Sequence, residues 1–163
     1  MLSSICLPFL GTFQNDRSPT APWSDVRRTD SREGKVDPIS VLLVDDNPVF
    51  LSIAARFLRA CDDLVVLGAA DGGQEALAKA WHLRPQVVLL DLRMPDLPGL
   101  EVIPLLRAIL PQVGIVVLTL LDGNSYREAA LAADADEFVS KAFMDTDLLP
   151  AIRRVAHIHG EKP

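Results

Sequence analysis

Long apolar runs are missing from this chain of 163 residues. None approaches the ~20 residues that a membrane-spanning helix needs. The first ten residues carry no positive charge, and Pro8 interrupts their short apolar stretch, so they do not read as a secretory signal. Cysteine is scarce: Cys6 and Cys61 are the whole supply, too few for a disulfide framework or a thiolate metal site. A reduced, cytoplasmic setting is the expectation that follows. Glycine-rich phosphate loops are absent too, with no G-x-G-x-x-G, so a nucleotide site has no support. Positive charge is in deficit, with 16 Lys and Arg against 22 Asp and Glu, net −6. That balance, without a basic stripe, argues against direct contact with nucleic acid.

What is present divides at about residue 38. Residues 1–38 hold four prolines, five serines and ten charges that cancel, without periodicity. They are expected to form a disordered extension, or to follow from a start codon placed too far upstream, with Trp23 a solvated tail residue rather than a docking anchor. The remainder carries 17 acids against 11 bases, which is the whole net charge. Apolar residues make up 49% of the chain, enough to build one domain with a real core.

From Ile39 onward, aliphatic runs alternate with segments of helical period. Ile39–Val44, Leu64–Ala70, Gln86–Leu90, Val113–Leu118 and Glu137–Ser140 read as strands. Asn47 and Pro48 suit the start of a first helix, and Asp71 is expected to cap a second that runs to Leu83. Further helices are expected from Gly99 to Leu110, from Asp122 to Ala133 and from Asp145 to His157. Pro104 falls inside the third, which predicts a late start or a kink there. Five strand–helix alternations imply a doubly wound parallel sheet with helices on both faces.

In such a sheet all the strand carboxyl ends lie along one edge, where ligands bind. The first strand ends at Asp45-Asp46, the third at Asp91, the fourth at Thr119 and the fifth at Lys141. Three carboxylates gathered there repel one another unless a cation offsets them, and Mg²⁺ suits one or two carboxylates together with waters and phosphate oxygens. The set suggests an aspartate that takes a phosphoryl group as an acyl phosphate. The metal stands on one side and the ammonium of Lys141 on the other, and Thr119 donates to a phosphoryl oxygen. Taken singly, each residue has a plainer reading: a helix cap, a turn, β-propensity, a solvated lysine. Their conjunction in this order, each at a strand end, favours the site.

Val44-Asp45-Asp46-Asn47, Leu90-Asp91-Leu92-Arg93-Met94-Pro95, Thr119 and Lys141 together resemble the motifs of the receiver domain of two-component response regulators. The resemblance covers Ile39 to His157. It implies a flavodoxin-like (βα)5 fold with strand order 2-1-3-4-5, a receiver over 39–159 and a short tail over 160–163. It implies that Asp91 is the phosphoacceptor and that Mg²⁺ is held by Asp46, Asp91 and the Arg93 backbone carbonyl, with Asp45 acting through water. Thr119 and Lys141 would hold the phosphoryl group, and Phe138 matches the family's rotating switch aromatic. Ala142 stands where the family often has proline, as in receivers that precede LuxR-type DNA-binding domains.

The implied partners are a sensor histidine kinase or histidine phosphotransfer protein, and an output protein reached in trans or a second copy on phosphorylation. No nucleic-acid or membrane contact is implied. With little beyond the last helix, the expectation is a stand-alone receiver that catalyses only its own phosphorylation and dephosphorylation. His82, His157 and His159 lie outside the cleft, so the donor histidine comes from elsewhere. An aspartyl-phosphate phosphatase on a similar scaffold would want a second Asp two positions after the nucleophile, where this chain has Arg93. A phosphorylation-independent scaffold would not need the intact acidic set.

Overall fold

A computed structural model describes residues 37–121 and 123–160. The expected extension, with Trp23 and Cys6, lies outside the described residues apart from its last two, as do Asp122 and the end of the tail.

The elements follow the order read from the pattern: β1 (Ile39–Val44), α1 (Pro48–Arg59), β2 (Leu64–Ala70), α2 (Gly73–Leu83), β3 (Val87–Leu90), α3 (Gly99–Ile109), β4 (Gly114–Thr119), α4 (Asn124–Ala132), β5 (Glu137–Ser140) and α5 (Met144–Gly160). A 3₁₀ turn, Lys141–Phe143, leads into α5. The five strands are all parallel in the order β2-β1-β3-β4-β5, as the resemblance implied. No helix among the described residues is long and apolar enough to cross a membrane.

The two-residue side-chain period of the strands sorts the core into two layers. Leu42, Val44, Val88, Leu90, Ile115 and Val117 face one way, against Ala76 and Ala80 of α2, Val102, Ile103 and Leu106 of α3, and Ala130 of α4. Val41, Leu43, Val87, Leu89, Val116 and Leu118 face the other way, against Ala54 and Leu58 of α1 and Leu148, Ile152 and Val155 of α5. Every residue of β3 and β4 is buried, which explains why those strands read as continuous aliphatic runs rather than as alternation. Burying each Val, Leu or Ile side chain there contributes about 1.5–3 kcal/mol.

Several boundaries differ from expectation for local reasons. Asn47 does cap α1, accepting from the N–H groups of Val49 and Phe50 at 3.0 and 3.2 Å. Asp71 does not cap α2. Gly72 holds the cap position without a side-chain bond, and the free N–H groups of Gly73 and Gln74 donate instead to Asp96. Helix α3 starts at Gly99 and runs through Pro104, so it does not start late. Pro104 is exposed, where water can reach the carbonyl that its missing N–H leaves unpaired. Helix α4 begins at Asn124, because Gly123 before it has φ +127°, a value costly for any residue with a side chain. Helix α5 begins one residue early and extends to Gly160, one residue past the expected domain end. Ser140 Oγ accepts from the Ala142 N–H at 3.3 Å, and among the described residues no peptide bond is cis, Lys141–Ala142 included.

Candidate functional site

The sheet order decides which loops meet. β1 and β3 are neighbours, and β4 lies on the far side of β3, so the residues after their ends are held side by side. Backbone bonds carry the ladder one step beyond the strands: the Asp45 N–H donates to Ala70 O at 3.1 Å and the Asp91 N–H to Val44 O at 2.9 Å. Both aspartates therefore inherit the rigidity of the sheet. β5 is two strand spacings from β3, about 10 Å, and the long stem of Lys141 spans that gap.

A pocket of about 140 Å³ opens at this edge, lined by Asp45, Asp46, Asn47, Asp91, Arg93, Thr119, Leu120 and Lys141. It has room for a small ion with its waters. Ligand atoms of Asp45, Asp46 and Asp91 all lie within 4.8 Å of one another. Asp45 and Asp91 are buried while Asp46 is exposed at the mouth. The Lys141 side chain, 7% exposed, pairs with Asp45, lies 3.7 Å from Asp91 Oδ1 and stands 4.2 Å over the Phe50 ring.

Burial pushes the Asp45 carboxyl above its ordinary range, against the opposing pull of Lys141 and of the Asn47 N–H, which donates to its Oδ1 at 2.9 Å. Asp91 Oδ1 is buried and has no hydrogen-bond partner. A buried carboxylate oxygen left without a partner is costly. With Asp45 and Asp46, Asp91 makes a set of three hard oxygen donors, such as a small divalent cation takes, so these carboxylates fit Mg²⁺. Thr119, 1% exposed, accepts the Leu121 N–H on Oγ1 at 3.3 Å, which leaves its hydroxyl proton to give.

Six residues named from the sequence thus meet in one pocket: Asp45, Asp46, Asp91, Arg93, Thr119 and Lys141. Phe138 does not line it. Its ring is 7% exposed and packs in the core layer with α2, α3 and α4. The Arg127 guanidinium of α4 lies 5.3 Å from the ring centroid, and its Nη2 donates to the Phe138 carbonyl at 3.1 Å. His159 is away from the site, at the other end of the sheet, where its Nε2 lies 2.9 Å from Asp136 Oδ1.

The sequence reading did not find the Phe50 ring beneath Lys141, or the Asp96 carboxylate on α2. It also missed a cluster around Arg107. That guanidinium donates to Asp136 Oδ2 at 2.6 Å and to the Asp134 carbonyl at 3.1 Å. Phe50 at helical spacing looks like any core aromatic, and the partners of Asp96 and Arg107 are largely backbone groups, which no residue pattern marks.

The receiver-domain model of response regulators matches residues 41–153. Response regulator GacA of Pseudomonas viridiflava is 36% identical over 117 residues, covering 72% of this chain and 55% of that protein. Response regulator protein VraR of Staphylococcus aureus is 34% identical over 120 residues, covering 72% and 56%. The chain thus spans about half the length of these curated relatives. Among solved structures, the response regulator domain of Thermotoga maritima CheB is similar with a TM-score of 0.69 at 27% identity, covering 77% of this chain and 99% of that one. A LuxR-family DNA-binding response regulator from Staphylococcus aureus is similar with a TM-score of 0.66 at 25% identity, covering 72% and 98%.

Proposed function

Because this chain belongs to the response regulator receiver domain family, we propose that Asp91 accepts a phosphoryl group from a phosphohistidine on a sensor histidine kinase or a histidine phosphotransfer protein. The observation that carries this reading is the buried Oδ1 of Asp91, which has no hydrogen-bond partner and is set among two more carboxylates and a buried ammonium.

Oδ1 of Asp91 attacks phosphorus. The new P–O bond forms as the P–N bond to the donor imidazole breaks, and the imidazole keeps the electron pair and takes up a proton. Asp45, Asp46, Asp91 and the Arg93 backbone carbonyl would hold Mg²⁺, which when bound offsets charge on the phosphoryl oxygens. Lys141 shifts from Asp45 toward the phosphoryl group, and its four-carbon stem allows the move. Thr119 turns its hydroxyl proton to the same group. Water later attacks the acyl phosphate, so the domain catalyses its own phosphorylation and dephosphorylation and nothing further. Leu120 of the pocket lining is 65% exposed, and Val49 and Phe143, each two residues after a lining residue in sequence, are exposed as well. They suit contact with a protein donor.

The output surface is read as α4, β5 and α5. Thr119 ends β4, Phe138 lies on β5, and Arg127 ties Phe138 to α4. A shift of Thr119 toward the phosphoryl group changes the space beside Phe138 and so loads α4. That surface is where the output partner docks. A stable gain of one phosphate on Asp91, seen by mass spectrometry after acetyl phosphate and Mg²⁺, is expected. Steady phosphate release without accumulation would mean a phosphatase, and no change would mean a scaffold.

A further inference from the structure

The loop from Asp91 to Gly99 carries the phosphoacceptor and Arg93; its two ends are held together, and its outer side is fastened to α2. At its far end, Gly99 lies so close that a Cβ there would stand 2.3 Å from the Asp91 carbonyl oxygen. The Gly99 N–H donates to Leu92 O at 3.0 Å. On its outer side, Asp96 reaches the start of α2. Its Oδ1 accepts the Gly73 N–H and its Oδ2 the Gln74 N–H, each at 3.0 Å. One carboxylate thus satisfies two of the N–H groups that a helix start leaves free, at the positive end of the helix dipole. Those N–H groups hold the Asp96 carboxyl below the ordinary range.

The fit is specific to glycine on the α2 side. A Cβ on Gly72 would stand 2.7 Å from both Asp96 oxygens, and one on Gly73 would stand 2.7 Å from the Leu97 carbonyl oxygen. An ordinary helix cap comes from a residue beside the helix start. This one comes from 22 and 23 positions downstream of the groups it accepts, so the bond fastens a second segment rather than the helix alone. Leu92 and Met94 bury their side chains beside it, which leaves Asp96 as the polar fastening of the loop on its outer side.

We infer that Asp96 is a positioning residue, which braces the Asp91–Gly99 loop against the start of α2 and thereby sets how tightly the acidic cluster holds a divalent cation. The inference rests on the reading of Asp91 and its neighbours as a metal-dependent phosphoacceptor site. Groups that orient metal ligands without touching the metal typically change affinity by 10- to 100-fold when removed.

The test compares Asp96→Ala, Asp96→Asn and Lys79→Ala with the parent, all well below their unfolding temperatures. Mg²⁺ affinity is read by calorimetry and loop mobility by amide exchange over residues 92–98. Asp96→Ala should weaken Mg²⁺ about tenfold and speed exchange in the loop. Asp96→Asn, whose amide oxygen can still accept one N–H, should fall between. Lys79→Ala is the control. It removes the pairing with Glu75 and the bond to the Ala69 carbonyl within and beside α2, so it should lower the melting temperature and leave Mg²⁺ affinity unchanged. Parent-like Mg²⁺ affinity in Asp96→Ala, with only a lower melting temperature, would reduce Asp96 to a helix cap and overturn the inference. A parent that binds no Mg²⁺ would overturn the phosphoacceptor reading itself. Exchange over 92–98 still judges the brace in that case, and unchanged exchange in Asp96→Ala would remove it.

Discussion

The oxygen of Asp91 that makes no hydrogen bond is costly to the folded state, and on the proposed reading it is the nucleophile. Asp91→Asn keeps the shape, removes one of three crowded negative charges and removes the nucleophile. It should abolish phosphorylation while leaving stability the same or higher by on the order of 1 kcal/mol, checked by urea unfolding beside a phosphorylation assay. At the far end of the sheet, Asp136 is a carboxylate in the opposite position. Burial pushes its carboxyl up, but the Ile115 N–H, His159 and Arg107 outweigh that and hold it below the ordinary range. With the folded value depressed, the ionised form stabilises the protein fully above the unfolded value of about 3.9, and that contribution is lost as pH falls through the lower folded value. Asp136→Asn should therefore cost about 2–3 kcal/mol near neutral pH, and the gap to the parent should narrow below about pH 4, read from urea midpoints across pH. The five side chains at the strand ends were legible in the sequence because chain order alone delivers them to one edge. Asp136 and Arg107 were not, because their partners come from different elements and several are backbone groups.

Elements were legible where pattern and punctuation agreed. β1, β2 and β5 carry the expected bounds, and Asn47-Pro48 opens α1 as its chemistry predicts. The pattern misled at α2, where Asp71 looked like a cap but Asp96, a loop residue far along the chain, performs that role. It misled at α4 too, where the start is set by the backbone of Gly123. At Pro104 a strong local penalty was overridden, because Val102, Ile103 and Leu106 bury on the core side and outweigh one lost hydrogen bond on the exposed side. The junction of β3 with α3 gives the sharpest test at this scale. Gly99→Ala forces a Cβ against the Asp91 carbonyl, and overpacking of that kind costs about 1–3 kcal/mol. It should lower stability and slow phosphorylation together, since the displaced atom belongs to the proposed phosphoacceptor. Normal phosphorylation in a destabilised Gly99→Ala protein would show that the loop absorbs the strain without moving the carboxylate.

For the whole molecule, the proposed reading of the acidic pocket couples stability to metal. A cation that binds only the folded chain stabilises it by mass action, about 2.7 kcal/mol at a hundredfold excess over its dissociation constant. Mg²⁺ should raise the melting temperature accordingly, and Asp46→Ala should remove most of that gain. A melting temperature indifferent to Mg²⁺ in the parent protein would count against the metal reading. The proposed switch reaches further across the fold. Beryllofluoride, as a phosphoryl mimic, should change amide protection along α4, β5 and α5, whereas changes confined to the loops around Asp91 would sink the Thr119–Phe138 route.

The order β2-β1-β3-β4-β5 has a consequence for a chain as it is made. β1, the first strand among the described residues, ends up inside the sheet, and the four corners of the pocket come from loops spread along the sequence, with Lys141 supplied by the turn after β5. A nascent or half-unfolded copy can hold Asp45, Asp46 and Asp91 close together, but it lacks the ammonium that completes the set. On the proposed reading, the capacity to carry the signal appears only when folding is complete, so damaged copies fall silent instead of sending a false message.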